Sequence, residues 1–138
     1  MSTDPQPVVS IEHVTKTFAQ GNVTALQDIE LELERGEFVS LIGPSGCGKS
    51  TLLRVIGDLI QPTAGTVTVN GKSAAQARAD RDSGIVFQDA VLFDWRTVSK
   101  NIALPLEMLG WDKDRRKARV AEMLELVRLS HAAKHRPS

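Results

Sequence analysis

Residues 43–51 read Gly-Pro-Ser-Gly-Cys-Gly-Lys-Ser-Thr, which matches the G-x-x-x-x-G-K-[ST] pattern of a phosphate-binding loop. An apolar run, Phe38 to Ile42, precedes the loop, and a helical pattern, Leu52 to Ile56, follows it. The glycines allow successive backbone N–H groups to point inward, and the N-terminus of the following helix adds positive potential. The stretch therefore predicts a nucleoside triphosphate site between a strand and a helix.

Each residue type in this loop has an expected role. Lys49 would reach the β- and γ-phosphates, and Ser50 would give its hydroxyl to a Mg²⁺ ion that bridges them. Thr51 would touch the phosphate chain from the first helical turn. The other residues expected to contact ATP are Gly43, Pro44, Ser45, Gly46, Cys47 and Gly48. A glycine-rich turn without a ligand is the alternative, but it leaves the Lys-Ser pair without a use.

The composition is that of a soluble globular domain: 41% of the 138 residues are hydrophobic and 25% are charged. The formal net charge is zero, so no basic footprint points to nucleic acid or to an anionic membrane surface. The single cysteine excludes an internal disulfide and fits a reducing compartment. Met1 to Pro7 is polar and is not expected to act as a secretory signal.

Two strand patterns precede the loop. Val8 to Phe18 alternates and is rich in β-branched residues, and Gly21-Asn22 is a turn signal. Ala25 to Glu34 then alternates apolar and acidic residues with a period of two, which predicts an antiparallel strand with one solvated face.

Further strands are expected around and after the loop. Phe38 to Ile42 and Gly84 to Phe87 are predicted to be buried strands of a parallel core sheet. Thr66 to Val69 predicts a short strand that ends at the turn signal Asn70-Gly71. Ala74 to Asp82 is expected to form a short helix or a loop.

The last third of the chain has a helical pattern. Thr97 can cap a helix that Pro105 is expected to interrupt, and Val120 to Val127 has apolar residues at helical spacing. The charged run Asp112 to Arg119 is predicted to be a solvated helical face. The fold class is therefore α/β, with an N-terminal antiparallel β part, a partial core sheet and a helical part.

Taken together, these motifs resemble the N-terminal half of the ATP-binding cassette of ABC transporters, along essentially the whole chain. The resemblance implies one P-loop NTPase cassette domain, with the β subdomain and phosphate-loop core at residues 8–87. Residues 88–138 would form the glutamine loop and the start of the helical subdomain. ATP and Mg²⁺ are the implied cofactors.

The resemblance assigns two further site residues. Phe18 in Lys16-Thr17-Phe18 matches the aromatic position that stacks on adenine in that family, where Tyr is frequent. An apolar ring is sufficient for stacking on a flat base. Gln88 matches the family's glutamine loop, where its amide would contact Mg²⁺ and help position the attacking water. A polar residue at a strand end is the alternative role for Gln88.

The segment Leu92 to Val98, followed by Asn101 to Leu106, resembles importers of nitrate, sulfonate, taurine and pyrimidine-precursor-like solutes. Phe93 and Trp95 are large apolar side chains in a polar context, which suits a partner's helix. The family places a membrane permease subunit against this region, here Gln88 to Val98. Packing of Trp95 into the helical core is the alternative.

The resemblance also implies the assembly and its location. A second identical cassette and integral membrane permease subunits would be direct partners, a solute-binding protein an indirect one, and nucleic acid none. The subunit would be cytoplasmic and peripheral on the inner face of the cell membrane. The three histidines have no partners at metal-ligand spacing, so no metal site is predicted for them.

Several family motifs do not occur in the 138 residues. Arg136-Pro137-Ser138 resembles the approach to the Leu-Ser-Gly-Gly signature, but the signature, the acidic strand-end pair and the switch histidine do not occur. This chain is expected to bind ATP without hydrolysing it. The alternatives are another P-loop enzyme, such as a GTPase or small-molecule kinase, a non-transport cassette, or an inactive nucleotide-binding module. A GTPase would show an Asn-Lys-x-Asp guanine motif, which is also missing.

Overall fold

A computed structural model describes residues 6–89 and 91–137. The chain divides into two compact units, one up to Val86 and one from Phe87 onward. This division lies next to the domain boundary expected from the sequence.

The first unit is built on a four-stranded antiparallel sheet with the strand order β2-β1-β3-β4. The elements are β1 (Val9–Phe18), β2 (Val23–Leu33), β3 (Ala64–Val69) and β4 (Lys72–Ser73). The central strand β1 pairs with β2 through Ile11 opposite Leu31, and with β3 through Ile11 opposite Val67. The strands predicted before the loop and at Thr66 to Val69 are confirmed.

Two tight turns connect these strands as the sequence predicts. Gly21 and Asn22 have φ values of 84° and 48°, and Asn70 and Gly71 have φ values of 52° and 72°. Two consecutive residues with positive φ suit the twist of a hairpin, and Asn and Gly adopt that conformation at low cost.

Helix α1 (Lys49–Ile56) and helix α2 (Ala74–Ala79) pack on this sheet. Leu52 and Val55 of α1 and Ala77 of α2 are buried in the same apolar cluster as Ile11 and Val14 of β1. Residues 52 and 55 lie on the buried side of α1, and residues 43–47, which precede the helix, are exposed. The predicted helix after the loop is confirmed, and the 74–82 segment forms a helix in its first part.

The two predicted core strands do not form, so the prediction is wrong for residues 38–42 and 84–87. Phe38 and Ile42 are 91% and 94% exposed, where burial on both faces was expected. A parallel strand is held by hydrogen bonds to neighbouring strands, and no strand among the described residues pairs with either segment. An apolar, β-branched composition alone does not supply those partners.

The second unit contains α3 (Val98–Met108), α4 (Lys113–Leu126) and a short 3₁₀ helix, Ser130–Ala132. The N-cap of α3 is Thr97, whose hydroxyl accepts a hydrogen bond from the Lys100 N–H at 3.3 Å, as predicted. Asp112 caps α4 by accepting from the N–H groups of Asp114 and Arg115. These bonds to the ionised carboxylate, first the one from Arg115, lower the pKa of Asp112.

Pro105 does not interrupt α3, which corrects the sequence prediction. The helix continues to Met108, and the Leu109 N–H still donates to the Pro105 carbonyl at 3.0 Å. Proline removes one hydrogen bond from the helix, and the bonds on either side of it remain.

No helix within residues 6–89 and 91–137 has the length and apolar character that crossing a bilayer requires.

Candidate functional site

The phosphate loop, residues 43–48, leads directly into α1. Its last residue, Gly48, is the N-cap of α1 in a left-handed conformation with φ 100°, and Gly46 also has a positive φ of 80°. The Cys47 N–H closes a turn on the Pro44 carbonyl at 3.4 Å. The glycines are therefore needed for their backbone conformation, as the motif predicts.

Gly48 is also needed because of its surroundings. A Cβ atom placed on Gly48 would collide with the Ala25 carbonyl oxygen and lie 3.1 Å from Leu26 Cδ2. The loop therefore rests directly on the backbone of β2. This contact joins residues far apart in sequence, and sequence reasoning did not identify it.

Lys49 folds back over the loop. Its ammonium group donates hydrogen bonds to the carbonyl oxygens of Gly43 and Pro44, both at 2.7 Å, and lies 3.4 Å from Cys47 Sγ. The structure thus places the only charged side chain of residues 43–49 against the backbone of the loop. An ammonium group in this position is ready to meet phosphate oxygens.

The start of α1 offers the donors that an anion needs. Within the described part of the chain, no acceptor receives a hydrogen bond from the N–H groups of residues 48–51. The Ser50 side chain is exposed, and among the described contacts its hydroxyl makes no hydrogen bond. Unpaired N–H groups and a positive helix end fit a triphosphate, and the Ser50 hydroxyl fits a Mg²⁺ ligand.

Phe18 lies at the end of β1 and is 38% exposed. The Lys16 ammonium lies 5.3 Å from the centre of its ring and donates to the Gln61 carbonyl at 2.6 Å. A cation at this distance from an aromatic ring is attracted to it. The Lys16 ammonium therefore covers one face of the Phe18 ring, a role of Lys16 that sequence reasoning did not identify.

Gln88 belongs to the second unit and lies in an exposed bend at the start of the segment predicted to meet the permease, residues 88–98. Its contact with Mg²⁺ remains a prediction. In that segment the rings of Phe93 and Trp95 pack against each other at an angle of 41° with centres 4.6 Å apart, a pair here called the Phe93–Trp95 stack, and Trp95 is 71% exposed. Burial of Trp95 in the helical core, the sequence alternative, is therefore wrong.

The residues 93–96, here called the Phe93 turn, are held by one side chain that sequence reasoning did not single out. Asn101 of α3 is buried and bonds to the backbone of Phe93, Arg96 and Thr97. The sequence signal for this role was the position of Asn101 on the apolar side of the predicted helix, because a buried amide needs hydrogen-bond partners.

Charged clusters outside the loop include those around Asp58 and His13 in the first unit. Asp58, just after α1, accepts a 2.8 Å hydrogen bond from Arg78 Nε, and this bond lowers the pKa of Asp58. His13 on β1 lies 2.8 Å from Asp28 and 3.1 Å from Glu30, and these carboxylates, first Asp28 through its hydrogen bond, raise the pKa of His13.

The comparison with known proteins decides the family. The sequence profile described as ABC transporter matches residues 26–138, which includes the whole phosphate loop and both helices of the second unit. The chain belongs to the ABC transporter family.

Curated relatives are ATP-binding proteins named for import. The chain is 43% identical to the spermidine/putrescine import protein PotA of Thermobifida fusca, with 99% of the chain and 36% of the relative covered. It is 45% identical to the methionine import protein MetN of Nocardia farcinica, with 95% of the chain and 42% of the relative covered. It is 42% identical to the sulfate/thiosulfate import protein CysA of Synechococcus elongatus, with 100% of the chain and 40% of the relative covered. The ABC chain thus spans about two fifths of the length of these relatives.

Solved ABC cassettes have the same fold. The dimeric post-hydrolysis state of the ATP-binding cassette MJ0796, bound to ADP and Pi, aligns with a TM-score of 0.82 at 35% identity. The alignment covers 94% of this chain and 61% of that one. The predicted α/β cassette fold is confirmed.

Proposed function

We propose that this ABC chain is the nucleotide-binding portion of an importer's ATP-binding subunit, which couples ATP binding and hydrolysis to solute uptake. The observation that carries the proposal is the phosphate loop itself. Lys49 lies across it at 2.7 Å from two loop carbonyls, beside a helix N-terminus with unpaired N–H groups. This arrangement suits a triphosphate.

Nucleotide binding would exchange the partners of Lys49. Phosphate oxygens replace the Gly43 and Pro44 carbonyls as acceptors, and a charge-assisted bond to phosphate is stronger than a bond to a neutral carbonyl. The N–H groups of residues 48–51 would hold the remaining phosphate oxygens. Ser50 would hold a Mg²⁺ ion, which would supply positive charge against the phosphates, and the contact of Gln88 with that ion stays a prediction from the family resemblance.

The adenine base would stack on Phe18. Lys16 occupies one flank of the ring, so we place the base on the other. The exposed ring offers the apolar surface that a flat base requires.

The Phe93 turn supplies the proposed contact with a membrane permease subunit, within residues 88–98. The support is the exposed Phe93–Trp95 stack, because large aromatic side chains are the usual anchors of protein interfaces. This contact would hold the subunit on the cytoplasmic face of the membrane. The names of these relatives, all import ATP-binding proteins, agree with this role.

The remaining partners follow from the family. We propose a second copy of the cassette, as in the dimeric MJ0796 structure, and a solute-binding protein that acts through the permease. The relatives are named for spermidine, methionine and sulfate, so the nitrate, sulfonate, taurine or pyrimidine-precursor-like solute stays a prediction. Residues 1–138 are proposed to bind ATP without turnover, since they contain neither the signature nor an acidic strand-end pair.

The proposal is tested by titrating Mg-ATP into the chain and its Lys49→Ala variant. Loss of the loop ammonium should weaken binding by more than about tenfold. Lys117→Ala, which removes a lysine of α4, is the matched control and should bind as the wild type does. Equal affinities for wild type and Lys49→Ala would overturn the proposal. Preference for GTP over ATP would favour the GTPase alternative.

A further inference from the structure

Asn101 makes more hydrogen bonds to backbone than any cap in the second unit. Its Oδ1 accepts from the Phe93 N–H at 2.8 Å, and its Nδ2 donates to the Phe93 carbonyl at 3.0 Å. The same Nδ2 lies 3.3 Å from the Arg96 carbonyl and 3.1 Å from the Thr97 carbonyl. One side chain thus satisfies both polar groups of Phe93 and contacts the following turn.

The contacts are buried although the turn is exposed. Asn101 is 8% exposed, while the aromatic side chains it supports project to the surface. A buried amide whose oxygen and nitrogen are both hydrogen-bonded is a rigid support, because each lost partner would leave an unsatisfied polar group. The Arg96 N–H also closes the turn on the Phe93 carbonyl at 3.0 Å.

A second side chain of α3 holds the other end of the turn. Arg96 Nη2 lies 3.1 and 3.3 Å from the two carboxylate oxygens of Glu107. The Phe93 turn is therefore fixed to α3 at both ends, by Asn101 and by Glu107. Between these two points Phe93 and Trp95 have little backbone freedom.

We infer that Asn101 is a positioning residue for the permease contact: it sets the direction of the Phe93–Trp95 stack and thereby the affinity for the permease subunit. The inference rests on the proposed function of the Phe93 turn. Asn101 touches neither nucleotide nor permease. It lowers the cost of binding, because a surface ordered in advance loses less conformational freedom on association.

The substitution Asn101→Asp separates positioning from folding. Aspartate has nearly the same shape and still accepts from the Phe93 N–H, but it cannot donate to the three carbonyls. Asn70→Asp is the matched control, since it makes the same chemical change in an exposed hairpin turn. Retained folding is checked by circular dichroism. If Asn101→Asp does not fold, the same measurements are made on Asn101→Ser.

The first measurement is the local motion of Trp95. In a Trp111→Phe background Trp95 is the only tryptophan, so time-resolved fluorescence anisotropy reports on the Phe93 turn alone. Asn101→Asp should enlarge the fast component, and Asn70→Asp should not. An unchanged anisotropy decay in folded Asn101→Asp would overturn the inference.

The second measurement is the affinity of the whole ATP-binding subunit for the permease subunit of its own transporter. Asn101→Asp should weaken it by about tenfold and leave Mg-ATP affinity unchanged. In a Trp95→Ala background, Asn101→Asp should weaken the permease affinity no further, because the side chain through which Asn101 acts has been removed. If Trp95→Ala lowers the permease affinity and Asn101→Asp does not, the inference is overturned while the proposed permease contact stands. If Trp95→Ala has no effect, the proposed permease contact itself fails, and the inference fails with it.

Discussion

The phosphate loop and the Phe93 turn both precede a helix, but they differ in whether their backbone polar groups are hydrogen-bonded. Among the described contacts, the loop leaves the N–H groups of residues 48–51 unpaired, and the Lys49 ammonium bonds to two of its carbonyl groups. The turn has its polar groups bonded by the short, buried side chain of Asn101. The difference matches the proposed roles: a small anion needs free donors, whereas a protein partner needs a preformed surface.

The largest expected effect tests how the loop is fixed in place. Gly48→Ala should destabilise the chain by about 3 kcal/mol and abolish measurable Mg-ATP binding, since the added methyl collides with the Ala25 carbonyl at φ 100°. Thermal or denaturant unfolding and nucleotide titration are the measurements.

Gly46→Ala is the control for that substitution. Gly46 has a similar φ of 80°, but nothing lies within 4 Å of an added Cβ. It should cost only the conformational strain, about 1 kcal/mol. Equal losses at the two positions would show that conformation, rather than the contact with β2, fixes the loop.

The sequence was sufficient to identify the phosphate loop, its helix and the antiparallel strands, because each has a local signal. The turn signals Gly21-Asn22 and Asn70-Gly71 and the cap Thr97 are of this kind. Phe38 to Ile42 was predicted wrongly, since a core strand depends on neighbours that its own residues do not encode. The contact of Gly48 with Ala25 and the bonds of Asn101 to Phe93 join residues whose proximity arises only in the folded chain.

A smaller effect concerns charge. Helix α1, which carries the loop, is fastened at its C-terminal end by the bond from Arg78 to Asp58, while the Phe93 turn is held mainly by a neutral amide. Asp58→Asn should lower the unfolding free energy by about 1 kcal/mol at pH 7. Asparagine tolerates the positive φ of 53° at this position, so the change tests the charge.

The pH dependence of that difference follows from the lowered pKa of Asp58. A carboxyl group with a depressed pKa stabilises the fold above the ordinary value of about 4, and the contribution is lost as the pH falls below it. Unfolding curves of wild type and Asp58→Asn should therefore converge in acid. If wild type and Asp58→Asn differ by the same unfolding free energy from pH 7 to pH 3, the ionised Asp58 carboxylate is not the cause of the difference.

The most direct test of the account uses Cys47, the only cysteine, which is exposed within the phosphate loop 3.4 Å from Lys49 Nζ. Alkylation of the unmodified chain with a maleimide is followed with and without saturating Mg-ATP, with AMP as the control that lacks the β- and γ-phosphates. Phosphates held by residues 43–51 should slow the reaction by at least about tenfold with Mg-ATP and leave it unchanged with AMP. An alkylation rate that saturating Mg-ATP does not alter, in a folded sample, would mean that this loop does not hold the triphosphate.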